Sequence, residues 1–499
     1  MKKLQKVLVL LICTFLIPPA LMAQEKLLGK IDFPNSGSPA AQTDFIQGVL
    51  FLHNFEYADA ARSFRRAQNK DADFALAYWG EAMTYNHPIW MDQDPVQANA
   101  VLTRLGNTFA ERKEKAVTQR EKDYLMTLEI LYGFTQESEN KSKEARDFLY
   151  MNAMKNLHAS YPNDHEALAF YGLSILGTAH AGRDFAIYMR AAAELFEIWN
   201  QNPLHPGAAH YLIHSFDDPI HAPLGLPMAK SYSEIAPAAA HAQHMTSHIF
   251  LALGMWDDVV DANIVARRVQ QNRQRELNEK ISVCGHYTWW LQYGYLQRGE
   301  AVESEQILQT CKERIEENNP GSNLFGERWH YSVMMSHQII DTEDWQSIRK
   351  WRQSFSTENA DGKNYYYTSA FAELKIGNHT AASDYLSDLK NMNVSNLYDE
   401  DRERNIQVMQ IESLFLFENG ENEKALDLLE QAAIMESELP VSFGPPTIAK
   451  PSYELLGDQL FALGKYKESA DAYETQLIRT PNRLRSVEGK KLSLNSIFE

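Results

Sequence analysis

Little in this sequence points to cysteine chemistry, a membrane span or a polyanionic partner. The 499 residues include 3 cysteines. No stretch after the N-terminus stays apolar for the roughly 20 residues that a bilayer crossing needs. Positive charge is also short, since 48 Lys and Arg stand against 66 Asp and Glu, a formal charge of −18. Such an excess keeps a chain soluble and repels polyanions, which argues against nucleic acid and anionic lipid surfaces. Catalytic words are missing as well: no Gly-x-Ser-x-Gly elbow, no Walker loop and no His-Glu-x-x-His zinc word. Nothing therefore singles out a nucleophile or a reaction, although catalytic groups that meet only in space leave no such word. The apolar-polar alternation typical of strands is absent too, which leaves an all-α chain.

The N-terminus carries Lys2, Lys3 and Lys6, then an apolar run from Val7 to Ile17, Pro18-Pro19 and a small-residue end at Ala23. That order matches a secretory signal peptide over 1–23, with cleavage near Ala23 and an exported chain, periplasmic or extracellular. Loss of three lysines and no acids takes the formal charge from −18 to −21. Cys13 leaves with the signal. Cys284 and Cys311 remain, on the two arms of one helical hairpin turning near Gly299. An oxidising compartment suggests a disulfide between them, and two unpaired buried thiols are the alternative. Residues 24–41 are rich in Gly, Pro and Ser and read as a loosely held irregular leader.

Internal repetition decides the architecture. Gly48, Phe51, Ala60, Phe64 and Ala67 follow one another at intervals of three, nine, four and three. The phasing recurs at Ala370, Ala382, Leu386 and Leu389, at Ser413, Ala425, Leu429 and Ala432, and at Gly457, Leu460, Ser469 and Tyr473. This pattern resembles the tetratricopeptide (TPR) family, whose small residues let the helices A and B of a hairpin approach closely. The resemblance implies a TPR-like superhelical solenoid of antiparallel hairpins, continuous over 42–490, with helix A lining a concave groove. Such arrays expose a long concave binding surface. The segment from Gln93 to Glu139 departs most from the repeat, in longer charged helices. Leu439 to Pro451, with four prolines, is a connecting loop.

Histidine is the residue present in unusual concentration. Seven of the 16 fall between His205 and His248: His205, His210, His214, His221, His241, His244 and His248. His210 and His214 differ by about 40° around a helix axis, and His241, His244 and His248 span about 60°. Both sets fall on the A helices of consecutive hairpins, so both stripes should face the same stretch of groove. Imidazoles one turn apart chelate a transition metal, and ligands from the adjacent helix complete a site for Zn, Cu or Fe, with Asp217 or Asp218 able to join. The alternative is a hydrogen-bonded polar groove wall. His87, Trp90, His180, Arg183, Asp217, His286 and Trp290 add polar and aromatic groups to the same side. The words HPGAAHYLIH and HAQHMTSHIF also resemble those of exported bacterial TPR proteins. That resemblance supports fold and export and implies no particular chemistry.

Two functions follow as expectations. The first is an exported binding scaffold whose groove holds a protein segment, a peptide or a small polar ligand, with no evident catalytic residue. The second is a metal-binding protein, or a metal-dependent enzyme, built on the histidine cluster. Metal content separates them. So does geometry, because three of those imidazoles must converge if they share an ion.

Overall fold

A computed structural model describes residues 27–317, 325–352, 362–393 and 399–498. The N-terminal segment expected to be a signal, with Cys13, lies outside them. The described chain is α-helical throughout, apart from a two-rung ladder pairing Asn86 with Gln93 and His87 with Asp92. The helices are α1 Gln42–His53, α2 Tyr57–Lys70, α3 Ala75–Met83, α4 Pro95–Leu105, α5 Phe109–Lys115, α6 Gln119–Leu131, α7 Lys143–Ser160 and α8 His165–Leu176. The middle of the chain forms α9 Phe185–Gln201, α10 Pro206–Phe216, α11 Ala222–Ile235, α12 Ala240–Ala252, α13 Trp256–Glu276, α14 His286–Gln297, α15 Ala301–Glu316 and α16 Phe325–Thr342. A four-residue turn, α17 Ile348–Trp351, precedes α18 Gly362–Lys375, α19 His379–Asn391, α20 Glu400–Glu418, α21 Asn422–Ser437, α22 Ser452–Ala462, α23 Tyr466–Arg479 and α24 Leu484–Ser496.

Local signals start these helices where the sequence supplies a cap. The Asp164 and Asp184 carboxylates accept backbone N–H bonds at the starts of α8 and α9, and Thr108 and Thr118 form full capping boxes before α5 and α6. Each satisfies donors that a helix start would leave bare. The repeat signature is steric. A Cβ placed on Gly48 of α1 would stand 2.6 Å from Cε1 of Phe64 on α2, so only glycine lets that ring close the hairpin. The same logic produces an all-α array of helix hairpins, each packed on the next.

Three details differ from the sequence reading. The leader is irregular but firmly held: Leu28, Ile31 and Phe33 are buried, Lys30 N–H donates to Leu204 O at 2.8 Å, and Arg120 stacks on Phe33. Between Gln93 and Glu139 the helices α4 to α6 are short, not long, and α5 is fixed by a buried Arg112–Glu129 pair. The third difference matters most for function. The array curls until helices far apart in sequence meet. Arg273 of α13 pairs with Asp59 of α2, the Trp256 indole N–H donates to Asn482 O at 2.8 Å, and fully buried Arg483 reaches Glu454 and Tyr293. The face expected to be an open groove is closed over at these contacts and keeps a cavity of about 640 Å³.

Cys284 and Cys311 meet across the α14–α15 hairpin as a disulfide, with Cα atoms 4.9 Å apart.

Candidate metal centre

The histidine stripes come from three helices, α10, α12 and α14, whose rings meet: His210 with His241 at 4.9 Å and His244 with His286 at 4.6 Å. His210 and His214 lie one turn apart on α10, and His241, His244 and His248 line one face of α12. His286 opens α14. Their ring nitrogens sort into two triads. One ligand atom from each of His210, His214 and His241 lies within 4.8 Å of the others, and the same holds for His244, His248 and His286. The triads touch, with His214 and His248 ring centres 5.8 Å apart and His241 and His244 6.1 Å apart. Five of the six rings are buried, between 0% and 8% exposed, and only His286 is open to solvent.

In three of the six rings, His210, His244 and His248, the outer nitrogen is held by an oxygen acceptor. His210 Nδ1 donates to His53 O at 2.7 Å, which leaves its Nε2 bare and aimed at His241 Nε2, 3.2 Å away. His248 Nδ1 donates to Asp217 Oδ2 at 2.9 Å, and His244 Nδ1 donates to Asn263 Oδ1 at 2.7 Å. The Asn263 amide is oriented by its own N–H bond to Val259 O. In neutral rings both Nε2 atoms of this second pair then carry a lone pair, and they face each other at 3.2 Å. Only a proton or a cation between them makes that contact favourable. His214 adds a third anomaly, because neither of its buried ring nitrogens has a hydrogen-bond partner. Remote nitrogens fixed by acceptors, with free nitrogens converging, is the arrangement that orients metal-ligating imidazoles.

Electrostatics agree with that role. Burial pushes the His210, His214, His241 and His244 rings well below the usual histidine range, and neighbouring histidines push them further. Neutral imidazole is the ligating form. Rings close the walls: Phe55 lies 4.3 Å from His210 between centres, Trp290 4.4 Å from His248, and Trp90 caps His241 at 6.2 Å.

Not every predicted ligand joins. His205 sits at the start of α10, where its Nδ1 accepts the Ala208 N–H and its Nε2–H donates to Glu166 Oε1 at 3.1 Å. The second Glu166 oxygen takes His53 Nε2–H at 2.6 Å, and His53 Nδ1 pairs with the Tyr211 hydroxyl at 2.9 Å. His53, Glu166 and His205 could be grouped as ligands by distance. Every polar atom of that group already has a complementary partner, so it is a structural lock. His221 is also elsewhere, half-buried against Asp218 at 2.9 Å. Asp217 and Asp218 stand one shell out: Asp217 orients His248 and pairs with Arg183, and Asp218 orients His221.

The expected groove residues divide in the same way. His286 is a triad member and Trp290 a wall. His87 bonds Asp92 at 3.2 Å beneath the exposed Trp90, and His180 bonds Asp147 at 2.9 Å. His180 and Arg183 line a cavity of about 640 Å³ on the His286 side. The His53 carbonyl and the Asn263 amide escaped the sequence reading, because the first is a backbone oxygen from α1, 157 positions from His210, and the second is a neutral side chain on α13, the hairpin partner of α12. A strap formed by 439–447 runs between this cavity and the His248 wall. Within it Gly444 backs onto Trp290 so closely that a Cβ there would stand 2.8 Å from Cζ2.

No helix among the described residues is long and apolar enough to cross a membrane. No family model matches the chain, and no curated protein matches it. Solved structures give low-overlap similarities. A human IFIT1 dimer with m7Gppp-AAAA aligns with 13% identity and a TM-score of 0.35, covering 96% of this chain and 93% of that one. Yeast Tom70 aligns with 10% identity and a TM-score of 0.34, over 92% and 96%. A Rap protein complexed with competence and sporulation factor aligns with 13% identity and a TM-score of 0.35, over 92% and 100%.

Proposed function

We propose that this helical-repeat protein is an exported metalloprotein that binds transition metal in the paired histidine triads of α10, α12 and α14. One observation carries the reading: six imidazoles converge, and the Nε2 atoms of His244 and His248 face each other at 3.2 Å with their protons committed outward. A first shell of neutral imidazole without carboxylate or thiolate suits copper and zinc, and the stability order of divalent ions puts copper ahead. His210, His214 and His241 hold one ion. His244, His248 and His286 hold the second, and the exposed ring of His286 makes that ion the reachable one. Export rests on the N-terminal segment of the sequence.

The experiment is elemental analysis of protein purified without chelator or affinity tag. Two equivalents per chain are expected, falling to one or none in His210→Ala and in His244→Ala. Trace metal that neither substitution changes sinks the proposal. The scaffold reading keeps one support, the cavity beside His286, which has room for a ligand.

A further inference from the structure

The cavity beside His286 is walled by Met91, Arg183, Trp289, Trp329, Lys363 and Phe443, among others. Its volume of about 640 Å³ falls within the usual range for small-molecule sites. The wall is rich in flat apolar surface. Trp289 and Trp329 meet edge to face at 5.4 Å, and the Arg183 guanidinium is stacked on Phe443 at 4.4 Å and Tyr188 at 4.7 Å.

Most of its charges are already matched. Lys363 pairs with Glu403, which also accepts from Thr447, and Lys143 and His180 both pair with Asp147. Two groups stand apart. The Arg183 side chain is 1% exposed and gives one N–H to Asp217. Its Nε and Nη1 make no hydrogen bond, and Nη1 lies 3.9 Å from the nearer Asp218 oxygen. The Trp289 indole is 6% exposed and its Nε1–H has no acceptor. Buried donors left without an acceptor are costly, and a charged one more so. The wall thus offers aromatic faces and, among the described residues, three buried N–H groups without a hydrogen-bond acceptor, two of them on an Arg183 that is ion-paired with Asp217 and Asp218.

We propose that this chamber binds a small organic molecule with a flat aromatic body and a carboxylate, the ring between Trp289 and Phe443 and the carboxylate on the Arg183 and Trp289 donors. This goes beyond the metal reading and does not require it. The two sites are nonetheless neighbours, since Trp289 and His286 rings lie 6.1 Å apart and Arg183 holds the carboxylate that orients His248.

The test is calorimetric titration with 2-naphthoate and with 2-naphthol, run on chelator-treated and on zinc-loaded protein. Naphthoate should bind at least about tenfold tighter than naphthol in both forms, the size of one charge-assisted hydrogen bond. Trp289→Phe keeps the ring and removes the donor, so it should narrow the preference several-fold. Arg183→Gln should abolish it, with circular dichroism confirming that both variants fold. Equal binding of the two compounds, or none, overturns the proposal. A preference present only in the zinc-loaded form also overturns it, because the carboxylate would then sit on the metal. Persistence of the preference in protein that takes up no metal leaves the chamber standing and removes the metal reading alone.

Discussion

The Nε2 atoms of His244 and His248 lie 3.2 Å apart while both Nδ1–H groups are spent on Asn263 and Asp217. This pair defines what the centre needs from outside the chain. Asp217→Asn keeps the shape at that position but weakens the acceptor that fixes the His248 tautomer. Metal affinity, measured by competition with a chromophoric chelator, should fall about 10- to 100-fold. Unchanged affinity would remove Asp217 from that orienting role.

The neighbouring group of His53, Glu166 and His205 should behave in the opposite way. Burial alone raises the Glu166 carboxyl, and the two imidazoles overcome this and hold it well below the usual carboxylate range. Glu166→Gln presents an amide N–H where a ring N–H already points. We expect a loss of about 3 kcal/mol in urea unfolding, typical of a broken buried polar pair, with metal content unchanged. Loss of metal with little loss of stability would instead place these residues in the centre.

A buried histidine outside the triads should make the fold acid-sensitive. Burial, helped by the Arg483 guanidinium, pushes the His337 ring down to about 3. A depressed histidine is a liability below its unfolded value of about 6.5, because the unfolded chain takes up a proton that the folded one refuses. Stability therefore falls as pH drops below about 6.5, by about 2 kcal/mol between pH 7 and pH 5 for this residue alone. His337→Leu should flatten the unfolding free energy across that interval by this amount. An unchanged slope would show that the ring accepts a proton in place.

Reducing the Cys284–Cys311 bond opens a loop closed over 27 residues of sequence separation. Loop-closure entropy puts its contribution at about 3 to 4 kcal/mol. Thermal unfolding with and without reductant, with Cys311→Ala as the permanent form, measures it. Metal uptake should survive the loss, since neither cysteine is a member of a triad.

The sequence showed the hairpins and the histidine stripes because both are local patterns. Gly48 against Phe64 is a contact within one repeat, and His210 with His214 is one turn of one helix. What stayed hidden depends on closure of the array. Asn482 against Trp256 and Arg273 against Asp59 join residues more than 200 positions apart. Those contacts narrowed the expected open groove to a cavity. Closure also reassigned residues by chemistry the sequence could not rank. His205, followed by Pro206 at a helix start, caps α10. Asp217 became a support for His248, and His286 moved from groove lining to the centre. Periodicity places a side chain on a face, but the partner facing it comes from the turn of the whole superhelix.

The strap over Trp290 sets an order of events. Synthesis runs from the N-terminus, so all six imidazoles leave the ribosome well before residues 439–447. Until Gly444 arrives, the strap's contact with the Trp290 indole is missing and the His248 wall is uncovered on that side. Once the strap has docked, the His248 wall is closed on that side, and the way into the His244, His248 and His286 triad runs past the exposed His286 instead.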